Sequence, residues 1–197
     1  MELKDLSGHP LCSKYMVELG DTSLDTDNNQ KLVNSALPAI NFDSVVKEYA
    51  NKLGIQIPSS ADAFLYVGGD DEAWLIEFKN GHVGRDLHKS LAFTVYDSIT
   101  VLSELTGMTV ERYRKELVFV LVLNASKNEE ALGKIAAPSD SKSLSALASE
   151  MSSKGGGRFV PFGLNRFVDY CFKSVVVVDE AEFASAIEKV PPSFSMA

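Results

Sequence analysis

The sequence predicts an α/β fold, a central mixed sheet flanked by helices. Three observations predict it: a β-hairpin pattern between Ser60 and Gly81, an unbroken apolar run at Glu116–Asn124, and helical apolar stripes before and after them. The order helix, hairpin, long helix, strand, excursion, strand, helix describes an α/β sandwich in which each layer buries the apolar face of the next.

At 197 residues the chain is long enough for one domain with a real core and too short for two. Residues 1–197 are therefore expected to form a single domain. It divides into an N-terminal arm or extension (1–40), a core (41–124), a flexible excursion (125–158) and a C-terminal strand and helix (159–190). The apolar fraction of 45% is ordinary for a globular chain, and no apolar run is long enough to cross a bilayer. The start, MELKDLSGHPLCSKYMVELG, lacks a basic stretch followed by an apolar one, so the expected compartment is the cytoplasm, with no membrane partner. Cys12 and Cys171 then read as reduced thiols. The formal net charge of −8 argues against a protein that coats nucleic acid through many Lys and Arg contacts, and leaves room for a local basic groove.

Taken in order, Gly20–Pro38 is polar and rich in Asp, Asn, Ser and Thr, which reads as a surface excursion or a mobile arm. His9 and Cys12 are half of a metal-site pattern without a second half, and read as a loop. Asn41 opens a helix whose Phe42, Val45, Val46, Tyr49 and Leu53 form one stripe, ended by Gly54. Arms 61–67 and 73–79 are β-forming and alternate about a Gly68-Gly69-Asp70-Asp71 turn. A long helix is expected from about Gly84 to Leu105, ended by Gly107. Its Leu87, Leu91, Val95, Ile99 and Leu102 are spaced for burial, and Asp97 is set among apolar neighbours as a cap or internal partner. Glu116–Asn124 reads as a central strand buried on both faces. Within 125–158, Lys154, the Gly155–Gly157 run and Arg158 read as a basic loop over a phosphate or as a plain connection. The valine-rich strand within Tyr170–Val178 leads to an Asp179/Glu182 capping box. A last helix with Phe183, Ala186, Ile187 and Val190 on its apolar side follows.

The hairpin carries the chemistry. Alternation puts Trp74, Ile76 and Phe78 on one face of the second arm and Leu75, Glu77 and Lys79 on the other. Folding about the turn brings Asp62 opposite the Glu77–Lys79 end, where cross-strand Cβ atoms are roughly 5 Å apart. A slip of one residue would send Asp62 to the other face. Asp62, a hairpin, then Glu77-Phe78-Lys79 resembles the PD-(D/E)XK nuclease-like superfamily, with Ala61 standing where that family often has proline. The run IEFKNG followed by a long helix, FGL, a valine-rich strand and a final helix is similar to small bacterial members.

The resemblance implies a restriction-endonuclease-like three-layer sandwich with an α-β-β-β-α-β core. Here only Ile55-Gln56-Ile57 is available for the first of those strands. It implies that Asp62 and Glu77 hold a divalent metal, Mg²⁺ or Mn²⁺, and that Lys79 positions or polarises the attacking water. Those residue types suit the task, since Mg²⁺ takes hard oxygen ligands and a lysine stabilises charge on a phosphate. It further implies that Glu48, on the first helix, reaches the metal or its waters, and that Lys89 and Arg85 face the phosphates. The bland counterparts are a solvated Glu48, surface charges at Arg85 and Lys89, and an internal Glu77–Lys79 ion pair with Asp62 nearby.

Two functions follow as expectations. One is a metal-dependent nuclease hydrolysing phosphodiester bonds of DNA or RNA. The other is a non-catalytic interaction protein on the same fold, an immunity or antitoxin-like partner, which the acidic charge favours. Fold alone decides neither.

Overall fold

The computed structural model describes residues 1–26, 28–68, 71–84, 86–133 and 161–190. Its strands in chain order are β1 (Met16–Glu18), β2 (Leu24–Asp25), β3 (Gln30–Lys31), β4 (Pro38–Asn41), β5 (Ala63–Gly68), β6 (Glu72–Lys79), β7 (Leu117–Leu123) and β8 (Ser174–Asp179). Six of them form one sheet in the order β1-β4-β5-β6-β7-β8, while β2 and β3 pair only with each other. The four strands from β1 to β6 run antiparallel to their neighbours, and β6, β7 and β8 run parallel. The sheet is therefore mixed, as its sequence predicts. The parallel half needs a helical crossover, and α3 (Leu87–Thr106) supplies it between β6 and β7.

Both faces of the sheet are covered. On one, α2 (Phe42–Leu53) and α3 bury Phe42, Val45, Val46, Leu91, Val95 and Leu102 against Phe64, Leu75, Phe119 and Val177. On the other, α6 (Glu180–Ile187) buries Phe183, Ala186 and Ile187 against Trp74, Ile76, Phe78, Val120 and Val176. The period of two in β6 divides its side chains between these two layers as expected. Every residue of β7 is 1% exposed or less, which explains why its sequence is apolar without alternation. Each fully buried Leu or Val there contributes about 1.5–3 kcal/mol relative to exposure.

The helix ends follow their local chemistry. The Asn41 side chain accepts the Ser44 N–H to start α2, and the Asp179 side chain accepts the Glu182 N–H to start α6. Asp97 accepts the Ser59 N–H at 2.9 Å, a bond at the surface that ties the segment before β5 to α3. Two further short helices, α4 (Val110–Glu116) and α5 (Glu129–Gly133), flank β7 and lie outside what periodicity predicted. The 125–158 excursion falls mostly outside the described residues, as do Lys154, Gly155–Gly157 and Arg158.

Two expectations are corrected. Residues 1–40 are not an arm: β1 and β4 belong to the main sheet, and Leu3, Leu6, Leu11 and Cys12 are buried in its core. The polar Gly20–Pro38 stretch is likewise anchored, because a short helix, α1 (Leu19–Thr22), brings Gly20 against the backbone of Val33 and Ser35. A Cβ at Gly20 would meet Ser35 N at 3.0 Å and Val33 O at 3.1 Å, so any other residue would have to push that backbone back by a few tenths of an ångström.

The second correction concerns the Ile55-Gln56-Ile57 strand, which does not form; both isoleucines are 49% exposed. Just beyond it, the backbone N–H groups of Ser59 and Ala61 are taken by Asp97 and Ser98 of α3, not by a neighbouring strand. The strand beside β5 is instead β4, which precedes α2 in the chain. The expected α-β-β-β order is thus replaced by β-α-β-β.

Candidate active site

The start of β5 is fixed from two sides. The Asp62 N–H donates to the Ile76 carbonyl at 3.0 Å, and the Asp62 carbonyl accepts the Phe42 N–H at 3.0 Å. Its side chain then accepts the Phe78 N–H at 2.7 Å through Oδ2. With Ala63 paired to Ile76, Asp62 lies beside Glu77, and the slip that would have turned it away does not occur. Glu77 and Lys79, two residues apart on one face, form an ion pair of 2.5 Å between Oε1 and Nζ. Asp62, Glu77 and Lys79 are therefore brought together.

Their exposures differ in a way that matters. The Glu77 side chain is 4% exposed and that of Lys79 is 34% exposed. The second Glu77 oxygen, Oε2, is buried and has no hydrogen-bond partner among the described residues. A buried, unpaired carboxylate oxygen forfeits its hydration, so an arrangement of this kind asks for a proton or a cation. Asp62 and Lys79 open onto a cleft of about 210 Å³ at the carboxyl end of β6, whose far wall is the Thr22–Asp25 segment. That end is laced by amides. Asn80 Nδ2 donates to Asp25 at 3.3 Å, Asn124 Nδ2 donates to Asn80 at 2.8 Å, and the buried Asn128 accepts the Val83 N–H at 2.8 Å. His82 contacts the Lys127 carbonyl at 3.0 Å and is held at the border.

Burial first, and then the charge of Glu77, hold the Asp62 carboxyl well above its ordinary pKa, against the Phe78 N–H and Lys79. Burial also raises Glu77, against the opposing pull of Lys79. For Lys79 burial works against the charge, but Glu77 and Asp62 outweigh it and its pKa rises. The cluster holds two carboxyls and one ammonium, and burial is the chief reason that both carboxyl values are raised.

Asp62 and Glu77 are the residues that could hold a divalent cation: two hard oxygen donors, Asp62 on the wall of the cleft and Glu77 buried with one oxygen that has no partner among the described residues. One or two carboxylates is the usual protein contribution to a Mg²⁺ site, water and substrate filling the rest. Among the described residues no three His, Cys, Asp or Glu side chains come together in a ready-made metal cage.

Glu48 does not join this group. Its carboxylate takes the Tyr15 hydroxyl at 2.6 Å, Lys14 at 2.9 Å and Lys52 at 3.1 Å, so it ties the N-terminal segment to α2. Those contacts, Tyr15 first, hold its pKa down to about 2. The acid of α2 whose charge reaches both Asp62 and Glu77 is Asp43, in the first turn, bonded to Ser60 Oγ at 3.0 Å and to Lys47 at 2.5 Å. The resemblance points to a glutamate of the first helix and so to Glu48, whereas Asp43 sits at the helix start, where the Phe42–Asp62 backbone bond is made. Lys89 is exposed and paired with Asp86 at 3.0 Å, and Arg85 lies outside the described residues.

Among the described residues no helix is long and apolar enough to cross a membrane, and Cys12 and Cys171 are free thiols. Comparison with protein-family models, with curated proteins and with solved structures finds no match, so the geometry of the cleft carries the functional reading.

Proposed function

We propose that the chain is a Mg²⁺- or Mn²⁺-dependent hydrolase of phosphodiester bonds in DNA or RNA, a nuclease on a restriction-endonuclease-like sandwich. The observation that carries this reading is the buried Glu77 Oε2, without a partner among the described residues, in a group with Asp62 and Lys79, which line a cleft. Buried charge without a function or a counter-ion is costly, and clusters with shifted pKa values in clefts are the usual marks of an active site.

In this reading Asp62 and Glu77 hold the metal. The metal, when bound, supplies Lewis-acid charge to the scissile phosphate and its attacking water. Asp62 is oriented for that task by the Phe78 N–H, which leaves its other oxygen for a ligand. Lys79, one-third exposed toward the cleft, holds the water or a phosphate oxygen and stabilises negative charge as the water adds and the phosphorus–oxygen ester bond breaks. Asp43 adds negative charge from the first turn of α2 and so strengthens the attraction for a cation.

The test is cleavage of single- and double-stranded DNA and RNA with Mg²⁺ or Mn²⁺, beside thermal melts with and without metal. A ligand that binds only the native state stabilises it, by about 2.7 kcal/mol at a hundred times its Kd. Wild-type cleavage and a metal-induced rise in Tm, both lost in a folded Asp62→Asn protein, support the reading. An equal metal response in Asp62→Asn, or none in the wild type at millimolar metal, counts against the site. The second reading, a non-catalytic interaction protein, is favoured by the net charge of −8 and expects no cleavage of any substrate.

A further inference from the structure

Away from the cleft, the outer side of α3 and the tight coil before β8 share a surface of a different chemistry. Phe93 and Tyr96, one turn apart on α3, are 63% and 44% exposed, and Tyr170 on the coil is 53% exposed. Large aromatic rings this open stand apart from Phe42, Phe64, Phe119, Phe172, Phe183 and Trp74, all of which are buried. Tyr96 links the helix to the coil through Phe167, which is buried. Tyr96 packs edge-on against its ring at 5.4 Å, and the Arg166 guanidinium lies over it at 4.7 Å. The coil is pinned by Arg114, whose Nε donates to the Tyr170 carbonyl at 2.9 Å. Arg114 and Arg166 are exposed and form no ion pair among the described residues, while the 161–172 coil offers one carboxylate, Asp169, against them. In a protein of net charge −8, this is a local concentration of unneutralised guanidinium beside open aromatic faces.

We propose that this surface binds single-stranded nucleic acid, bases stacking on Phe93, Tyr96 and Tyr170 and phosphates meeting Arg166 and Arg114. Aromatic faces accept any unpaired base, and guanidinium supplies both phosphate charge and stacking, so the pairing is sequence-tolerant. A duplex keeps its bases stacked inside and leaves those rings unused. The surface goes beyond the cleavage reading and does not depend on it, since binding requires neither metal nor turnover.

The experiment is fluorescence anisotropy of a fluorescein-labelled 20-nucleotide oligothymidylate, in EDTA and low salt, against a duplex of equal length. The single strand should bind more tightly than the duplex. Phe93→Ser and Arg166→Gln, both at exposed positions, should each weaken it about 10-fold, and Arg166→Gln should reduce the slope of log K against log salt by about 0.7. Leu53→Ser, at a comparably exposed apolar position on α2, should leave binding unchanged. Melts of all four proteins exclude unfolding as the cause. The proposal is overturned by absent binding, by duplex binding of equal strength, or by variants that bind like the wild type. It is also overturned if the surface instead mediates self-association, seen as a concentration-dependent dimer that Phe93→Ser dissolves while oligothymidylate stays unbound.

Discussion

Replacing Lys79 by methionine keeps the length of the side-chain stem and removes its charge, so it isolates the electrostatic role of the ammonium. Glu77, with a side chain 4% exposed, then has no cation at 2.5 Å. It escapes by taking a proton. At pH 7 that costs about 1.4 kcal/mol for each of the about 2.7 pH units separating pH 7 from the pKa of a free glutamate, about 3.7 kcal/mol in all. This agrees with the roughly 3–5 kcal/mol found when one member of a buried pair is removed. It is a ceiling, because Lys79 is one-third exposed and water entering its place screens the carboxylate.

The sign with pH is fixed by Glu77. Its folded pKa is already raised by burial, so the native state holds its proton more tightly than the unfolded chain. The penalty is full above the folded pKa and vanishes as pH falls toward the unfolded value near 4.3. At pH 5 the ceiling for Lys79→Met is therefore about 1 kcal/mol. With about 2–4 °C per kcal/mol for a chain of this size, the deficit in Tm should be up to about 15 °C at pH 7 and up to about 4 °C at pH 5. Melts in EDTA across that range measure it. A deficit that does not change with pH would assign the loss to packing of the stem, and no deficit at pH 7 would refute the buried-pair argument.

Two further outcomes are expected. Glu48→Gln should leave cleavage unchanged. Because Tyr15, Lys14 and Lys52 hold the Glu48 pKa at about 2, its contribution is present above the unfolded value near 4.3 and lost as pH falls toward 2. The variant should therefore lose less stability than the wild type between pH 4.5 and 2.5. Loss of cleavage in a folded, acid-titrated variant would return Glu48 to the active site. Gly107→Ala should lower stability by about 1–2 kcal/mol and Tm by roughly 2–8 °C, although nothing lies within 4 Å of the added Cβ, because φ there is 71°. An unchanged melt would show that the end of α3 relaxes without cost.

The elements with a complete local signal were legible in the sequence. The arms of the hairpin, the all-apolar β7, α3 with its terminal glycine and the capped α6 each carry periodicity, length and boundary residues that agree. The N-terminal forty residues were not legible, for a physical reason. Strands of three and four residues, β1 and β4, are too short to show alternation, and they are held by pairing to one another and to β5. Their order comes from tertiary contact: Leu3, Leu6 and Leu11 are spaced for short tight turns, and Gly20 permits a backbone approach that no pattern of apolar residues announces.

The site divides along the same line. Asp62, Glu77 and Lys79 lie on one hairpin, where a turn and a period of two determine which side chains meet, so local rules suffice to bring them together. The acid contributed by α2 is set by something else, the docking of the helix start on β5 through the Phe42 N–H and the Asp62 carbonyl. That contact makes the first turn, and hence Asp43, the part of α2 whose charge is felt by Asp62 and Glu77. Glu48 is more than a turn further along, where it meets Lys14 and Tyr15 from a segment that sequence alone placed outside the core. The place of the first forty residues and the surroundings of Glu48 thus depend on the same tertiary contact. Lys52, one turn along α2, is the partner that the sequence spacing shows, while Lys14 and Tyr15 reach Glu48 only once the N-terminal segment packs on the helix.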